Sequence, residues 1–546
     1  ALSIPFSDAA SIENACHCLA LLSYLKHDTE TVLNRFSTLQ PVAMRLEIKE
    51  ATHNCLLIND SYNADIDSLK IALNTLIQQA SAGHFNRTLI LSDIQQSGET
   101  HDNLYKQVAQ LVQQTQIDRF IGIGSEISQS RALFDPQASF YASTDEFLSQ
   151  LPHLGFRNEA ILLKGARSFR FDQIASALQA KVHETVLEID LSAMIFNLNY
   201  FRQKLKSGTK TMVMVKAFSY GSGTAEIARL LEFHRADYLA VAIADEGVAL
   251  RKAGISMPIL VMNPEEHSFD LMIENRLEPN IYSVSVFSKF LNAAKRNAVY
   301  DFPIHIKTDT GMKRLGFEKV TDLQQLAAQV RSGNELHIQS VFSHLAGSDE
   351  PMHDAFTLSQ IERFQELSGA LIEAYGQAID RHILNSAGIE RFPHFQFEMV
   401  RLGIGLYGIS ALNSALLQNV STLKTTISQI KVIEPSETVG YGRKGLVTRQ
   451  TRIAILPIGY ADGLNRHLSN GVGMVSVNGH TAPILGNICM DMCMIDITDC
   501  DAQEGDRVVI FGKELSPIVM AQALETIPYE IFTSVSQRVK RVYFQE

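Results

Sequence analysis

Eight short apolar runs recur between residues 211 and 408, and helical material follows all but the last. They are TMVMVK, YLAVAIA, PILVM, EPNIYS, PIHIKTD, QSVFSHL, HILNSA and VRLGIGLYG. Strands that alternate with helices in this way pair in parallel, because each crossover returns the chain to the same end of the sheet. Eight such units over roughly 220 residues predict a closed (β/α)8 barrel, whose chemistry sits at the C-terminal strand ends. Those ends carry a consistent polar set. The first ends on Lys216 with Tyr220 just beyond, the fifth presents Lys307, Asp309 and Arg314, and the sixth His344. The seventh presents Asn385 and Ser386, and the eighth carries Arg401 followed by Gly403 and Ile404. One such residue alone would be read as structural; five strand ends facing one mouth predict an active site.

Lys216 closes the apolar run Val213–Met214–Val215, and Gly221 and Gly223 supply a turn after it. Burying an ammonium costs several kcal/mol unless it is paired or used. A lysine here either packs its stem and sends its head to solvent, or forms a Schiff base with a carbonyl cofactor. The neighbouring strand ends bear on that choice. Backbone amides near Gly403 and Ile404, with the Ser386 and Tyr220 hydroxyls, suit a phosphate. Arg401 and Arg314 suit a planar ring and a carboxylate. Together with Lys216 they describe a site for pyridoxal 5'-phosphate.

The flanking segments have other textures. Residues 33–184 alternate strand candidates with amphipathic runs, predicting a Rossmann-like parallel sheet behind a helical stretch at 1–32. Residues 185–420 hold the barrel, and 421–546 read as short strands separated by turns, an all-β domain. The expected fold is therefore α/β and multidomain. A net charge of -11 argues against non-specific nucleic-acid binding. No apolar run is long enough to span a bilayer, and the six cysteines form no CxxC pair, which fits a reducing cytoplasm. No metal site is expected.

From about residue 186 onward the chain resembles the alanine racemase family, pyridoxal-phosphate enzymes of fold type III. The resemblance is carried by VKAFSYGSG, IKTDTGMKRLGF, VRLGIGLYG, VGYGR, LPIGYADG and GNICMDM. It implies that Lys216 holds the cofactor and is one catalytic base, and that Tyr441 is the opposite base, delivered by the second subunit of a homodimer. Two opposed bases are what inversion at Cα needs. Arg401 would face the pyridine nitrogen, with His344 supporting it. Arg314 would touch the cofactor and the substrate carboxylate, positioned by a carbamylated Lys307. Met490 and Tyr460 would bound the substrate, with Cys489 and Asp491 on the same wall. Tyr220, Asn385, Ser386, Gly403 and Ile404 would serve the cofactor, mainly its phosphate. Phe218, Ser219, Ser222, Leu402 and Gln537 depart from the usual pattern. The implied reaction interconverts L- and D-alanine and supplies D-alanine for peptidoglycan. The alternatives are a racemase or decarboxylase for another amino acid on the same barrel, or a non-catalytic cofactor-binding module.

The first 184 residues resemble the C-terminal part of a Mur ligase, closest to the enzyme that joins UDP-N-acetylmuramoyl-tripeptide to D-alanyl-D-alanine. SIENACHCLA, PVAMRLEIKE, INDSYNADIDSLKIAL, LILSDIQQSGE and LLKGARSFRF carry it. It implies that Asn14, Arg45 and Asp60 face ATP and that Lys164 and Gly165 lie on the substrate side. There is no GxxxxGK[ST] loop in the chain. The expectation is a fused ligase–racemase whose ligase part begins inside the central domain and is inactive here.

Overall fold

The computed structural model describes residues 9–25, 47–61, 65–83, 85–94, 100–178 and 185–545. Arg45 lies outside the described residues. The chain divides into two compact units, Ala1–Val182 and His183–Glu546.

In the first unit six strands form one sheet, in the spatial order 47–51, 55–60, 159–164, 86–92, 119–123, 139–141. Glu47–Ala51 runs antiparallel to Cys55–Asp60; every other pair is parallel. Alternate residues of the central strands enter different cores. Ile58, Leu89, Leu91 and Leu162 pack in one cluster, Leu57, Ile90, Ile161 and Leu163 in the other. A period of two with both faces buried is why these runs read as continuously apolar. Ser139–Tyr141, half-buried and only three residues long, has no counterpart in the sequence reading. Asn14 lies on the helix Ala9–Tyr24.

The second unit contains the barrel. Its strands are β1 (Lys210–Met214), β2 (Tyr238–Val241), β3 (Ile259–Val261), β4 (Glu278–Ile281), β5 (Phe302–Lys307), β6 (Leu336–Phe342), β7 (Asp380–His382) and β8 (Met399–Leu402). They pair in parallel in sequence order from β1 to β7, and β8 pairs with β1. Between β7 and β8 there is no ladder. That seam is closed by the Arg401 amide donating to Leu384 O at 2.9 Å and by Arg381, whose Nε and Nη2 donate to Glu398 at 2.9 and 2.7 Å. Strands shorter than their apolar runs leave Lys216, Ser386, Gly403 and Ile404 just beyond the last paired residues, at the mouth.

Val186–Asp190, which precedes the barrel in sequence, joins the β domain instead. It pairs antiparallel with Ser421–Thr426 and parallel with Lys540–Phe544. The β domain also carries two short helices, Pro517–Ala523 and Pro528–Ser534. The second helix reaches the turn behind Lys216. Gly221 has φ +80°, and a Cβ there would lie 2.2 Å from Phe532 O. Gly221→Ala therefore combines left-handed strain with a clash against backbone, and should destabilise this unit by roughly 2–4 kcal/mol. Chemical denaturation should show the lower midpoint.

Candidate active site

The chain leaves β1 through an unusual turn. Ala217, Phe218, Ser219 and Tyr220 all have positive φ, between 50° and 56°. Each non-glycine residue held left-handed costs about 1–2 kcal/mol. The turn is closed by Ser219 N–H donating to Val215 O at 3.1 Å and Gly221 N–H to Ala217 O at 3.0 Å. Glu246 anchors its start, accepting from the amides of Ala217 and Ala242, each at 2.7 Å. The strain turns the half-buried Lys216 and the buried Tyr220 toward one mouth. Burial lowers the Lys216 amine, the Arg314 charge lowers it further, and Glu246 opposes them. Glu246 sits in the first turn of the helix after β2, beyond the apolar run that marks that strand, so the strand-end pattern does not find it.

Arg401 is 3% exposed, and both Nη groups of its guanidinium are engaged, leaving Nε–H. Nη1 donates to His382 Nδ1 and to His382 O, both at 2.9 Å. Nη2 donates to the carbonyls of Ser343 and Ile383. His344 Nδ1 is 3.4 Å from Nη2. His344 thus contacts Arg401 as expected, and His382, which the strand-end pattern does not single out, makes the shorter contact. Both imidazoles are held well below the usual histidine range, by burial first and by the Arg401 charge second. Burial pulls Arg401 down to about 9, which leaves it charged at neutral pH.

Lys307 is buried at the end of β5, its ammonium 5.8 Å from the centre of the Phe342 ring. Among the described residues it makes no ion pair, and Asp309 does not pair with it. That carboxylate instead accepts from the amides of Gly311, Lys313 and Arg314 at 2.8, 3.1 and 3.1 Å, shaping the loop that carries Arg314. Burial, Arg314 and Arg401 together pull the Lys307 amine down to about 8. Lys216, Lys307, Arg314 and Arg401 all act on His344. Four cationic side chains therefore converge on one mouth, a setting that calls for an anion.

A cradle lies beside them. A Cβ built on Gly403 would stand 3.2 Å from the Tyr220 hydroxyl and 3.8 Å from Ser386 Oγ. Both hydroxyls thus aim at space that only a glycine leaves open. Ser386 Oγ accepts from the amides of Gly403 and Gly405 at 2.9 and 3.2 Å. The Gly403 N–H, expected to face phosphate, is therefore already used to orient that hydroxyl. Asn385 Oδ1 accepts from Gly388 N at 2.8 Å and Ser348 Oγ at 2.9 Å, capping the helix Ser386–Arg391. The β domain adds Tyr529, whose ring centre is 5.7 Å from that of Tyr220. Burial raises its phenol to about 12. Gln537 is exposed. The donor set fits pyridoxal phosphate: an amine, two hydroxyls at a glycine gap, and arginines for the ring and a carboxylate.

The remaining expected residues form a second cluster on the β domain. Tyr460 N donates to Cys489 O and Ala461 N to Met490 O, both at 3.0 Å. Asn487 Nδ2 donates to Tyr441 O at 2.9 Å. Arg538 ties this face together through Asp462 and Asp491, each at 2.7 Å. Tyr441 is 71% exposed.

Fold and mouth define a barrel enzyme with a lysine amine set against an anion cradle. The alanine racemase N-terminal domain family matches residues 189–411, and the alanine racemase C-terminal domain family matches 420–543. Alanine racemase 1 of Clostridium acetobutylicum is 38% identical over 369 residues, 66% of this chain and 95% of that protein. The alanine racemase of Halothermothrix orenii is 38% identical over 370 residues, 66% of this chain and 96% of that protein. Among solved structures, the alanine racemase of Clostridium difficile 630 is 34% identical with a TM-score of 0.63, covering 66% of this chain and 96% of its own. That of Bartonella henselae, solved with covalently bound pyridoxal phosphate, is 30% identical with a TM-score of 0.61, covering 66% and 99%. The chain belongs to the alanine racemase family.

Proposed function

We propose that this chain interconverts L- and D-alanine with pyridoxal phosphate, using Lys216 and Tyr441 as proton-transfer groups on opposite faces of the substrate. The observation that carries the reading is the convergence of Lys216, Lys307, Arg314 and Arg401 beside the hydroxyls of Tyr220 and Ser386. Lys216 would hold the cofactor, Tyr220 and Ser386 with the Ile404 amide its phosphate, and Arg401 its ring nitrogen. When bound, the cofactor supplies an electron sink that acidifies the substrate Cα–H. Arg401, already donating to His382, keeps a donor on that nitrogen. Arg314, on the loop shaped by Asp309, binds the substrate carboxylate. The depressed Lys216 amine takes a proton from, or returns one to, one face of Cα; the Tyr441 hydroxyl serves the other. Met490 and Tyr460 limit the space beside the substrate.

Tyr441 comes from a second copy in this reading. Tyr441, Leu446, Met490 and Met492 of the β domain are 71, 72, 54 and 49% exposed, large apolar side chains that a partner surface would cover. Incubation of either enantiomer in deuterated water tests the reaction: proton NMR should show Cα exchange, and optical rotation should fall to zero from both sides. Exchange without inversion, or no exchange at all, overturns it.

Lys307 is read as the carbamylated lysine that orients Arg314. An amine held near 8 is partly neutral at neutral pH, as capture of carbon dioxide requires, and the product is an anion between two arginines. With 13C-bicarbonate, the protein should show a carbamate resonance that Lys307→Ala lacks.

The N-terminal unit is read as Mur ligase-like, with residues 1–32 a remnant of the central domain, 33–184 its Rossmann-like C-terminal domain, 185–420 the barrel and 421–546 the β domain. Asp60 and Lys164 support this reading. They form a buried ion pair of 2.7 Å at the C-terminal ends of adjacent parallel strands, the edge where α/β sheets take ligands. Such a fusion would join production of D-alanine to its use in cell-wall precursors. Among the described residues no helix is long and apolar enough to cross a membrane.

A further inference from the structure

The barrel interior, below the mouth, is not wholly apolar. Glu278, the first residue of β4, sits at the barrel floor, 8% exposed. His305 on β5, Ser340 on β6 and His382 on β7 are each 0% exposed. These side chains form one continuous line. Glu278 Oε2 is 2.6 Å from His305 Nε2, and His305 Nδ1 is 2.6 Å from Ser340 Oγ. Ser340 Oγ is 2.8 Å from His382 Nε2, and His382 Nδ1 meets Arg401 Nη1 at 2.9 Å. The line runs from floor to mouth.

Its proton order follows from chemistry. A guanidinium has donors and no acceptor, so His382 Nδ1 must accept. His382 is then neutral and carries its proton on Nε2, which donates to Ser340 Oγ. The order that gives each donor along the line one acceptor has the Ser340 hydroxyl donating to His305 Nδ1, with His305 carrying its own proton on Nε2 and donating it to the Glu278 carboxylate. Every donor is matched with one acceptor, and the anion ends the line. Aromatic neighbours fix both ring planes. Phe342 stacks on His382 at 4.9 Å and 13°, and Tyr238 meets His305 edge-on at 5.8 Å and 89°. A flipped imidazole would put carbon where a nitrogen is needed.

We infer that Glu278, His305 and Ser340 are positioning residues for Arg401, acting through a one-directional hydrogen-bond line that presents an acceptor nitrogen of His382 to the guanidinium. A buried arginine has many rotamers. Without a fixed acceptor on Nη1 the guanidinium would turn, taking its remaining Nε–H away from the ring nitrogen that the proposed function assigns to it. Glu278 does this from the far end of the barrel, touching neither substrate nor cofactor. The inference rests on the proposed function for its consequence, but the proton order itself can be read from the protein without turnover.

The test is nitrogen-15 NMR of the full chain labelled at histidine, recorded with and without pyridoxal phosphate, with His305→Gln and His382→Gln spectra for assignment. Both rings should be neutral with the proton on Nε2. A doubly protonated His305, or a His382 with its proton on Nδ1, overturns the inference. Two variants at the floor give the consequence. Glu278→Leu removes the final acceptor; it should redistribute the His305 and His382 tautomers and lower kcat about tenfold with KM little changed. Glu278→Gln keeps an acceptor oxygen without the charge and should restore the tautomers and most of kcat. If Glu278→Leu leaves both tautomers and kcat unchanged, the floor does not position Arg401. If Glu278→Leu does not fold, the wild-type tautomers still decide. A wild-type protein that shows the expected tautomers but does not racemise alanine would sink the proposed function and leave the proton order standing.

Discussion

Lys216→Ala protein is expected to lose racemisation by about a thousandfold or more, because one side chain both holds the cofactor and moves a proton. Borohydride reduction and peptide mapping should place a pyridoxyl group on Lys216 in the wild type and nowhere in the variant. Fold should be little affected. The Lys216 side chain accepts and donates none of the hydrogen bonds that close its turn; those are made by the backbone of Val215, Ala217 and Ser219 and by the Glu246 carboxylate. A variant that retains covalent cofactor, or that racemises at the wild-type rate, would move the anchor elsewhere. Lys307, the other buried lysine of the mouth, would then be the first place to look.

The second large effect belongs to Tyr441→Phe. Losing one of two opposed proton-transfer groups should lower inversion about 10²- to 10³-fold. Cα exchange with deuterium should survive for the enantiomer whose hydrogen faces Lys216 and vanish for the other. Mixing tests where the tyrosine comes from. Lys216→Ala and Tyr441→Phe proteins are each inactive alone, yet a mixed dimer has one site with both groups intact. Unfolding and refolding the two together should recover about a quarter of wild-type activity if Tyr441 crosses to the partner's barrel. No recovery, with mixed dimers demonstrated, would mean that both groups serve within one chain. The 71% exposure of Tyr441 favours recovery.

Features carried by local pattern were legible in the chain itself. Apolar runs of strand length, each followed by helix, specify a parallel barrel, because buried parallel strands need no polar alternation. Lys216, Lys307, Ser386 and Arg401 were legible because a strand end fixes which rim of the barrel a residue reaches. The parallel sheet of the N-terminal unit was legible for the same reason, its central strands being apolar on both faces.

Other features depend on which residues of different strands come side by side. His344 and His382 are both strand-end histidines, and only the stagger of β6, β7 and β8 decides that His382 meets Arg401 at 2.9 Å. The sequence places Asn385 at a strand end; the short β7 also makes its Oδ1 the cap of the helix that follows. Gly221 and Gly223 promised a loose turn, yet the strain falls on four residues that are not glycine, held there by Glu246 and by the β-domain helix behind them. Val186–Asp190 precedes the barrel yet pairs with strands more than two hundred residues away. The sequence by itself determined the barrel and the lysine at its mouth, since both follow from short-range periodicity. Only the tertiary structure decided which imidazole makes the shorter contact with the arginine and which carboxylate anchors the turn after Lys216. Those outcomes follow from side-chain distances of about 3 Å between segments far apart in sequence, which no local pattern encodes.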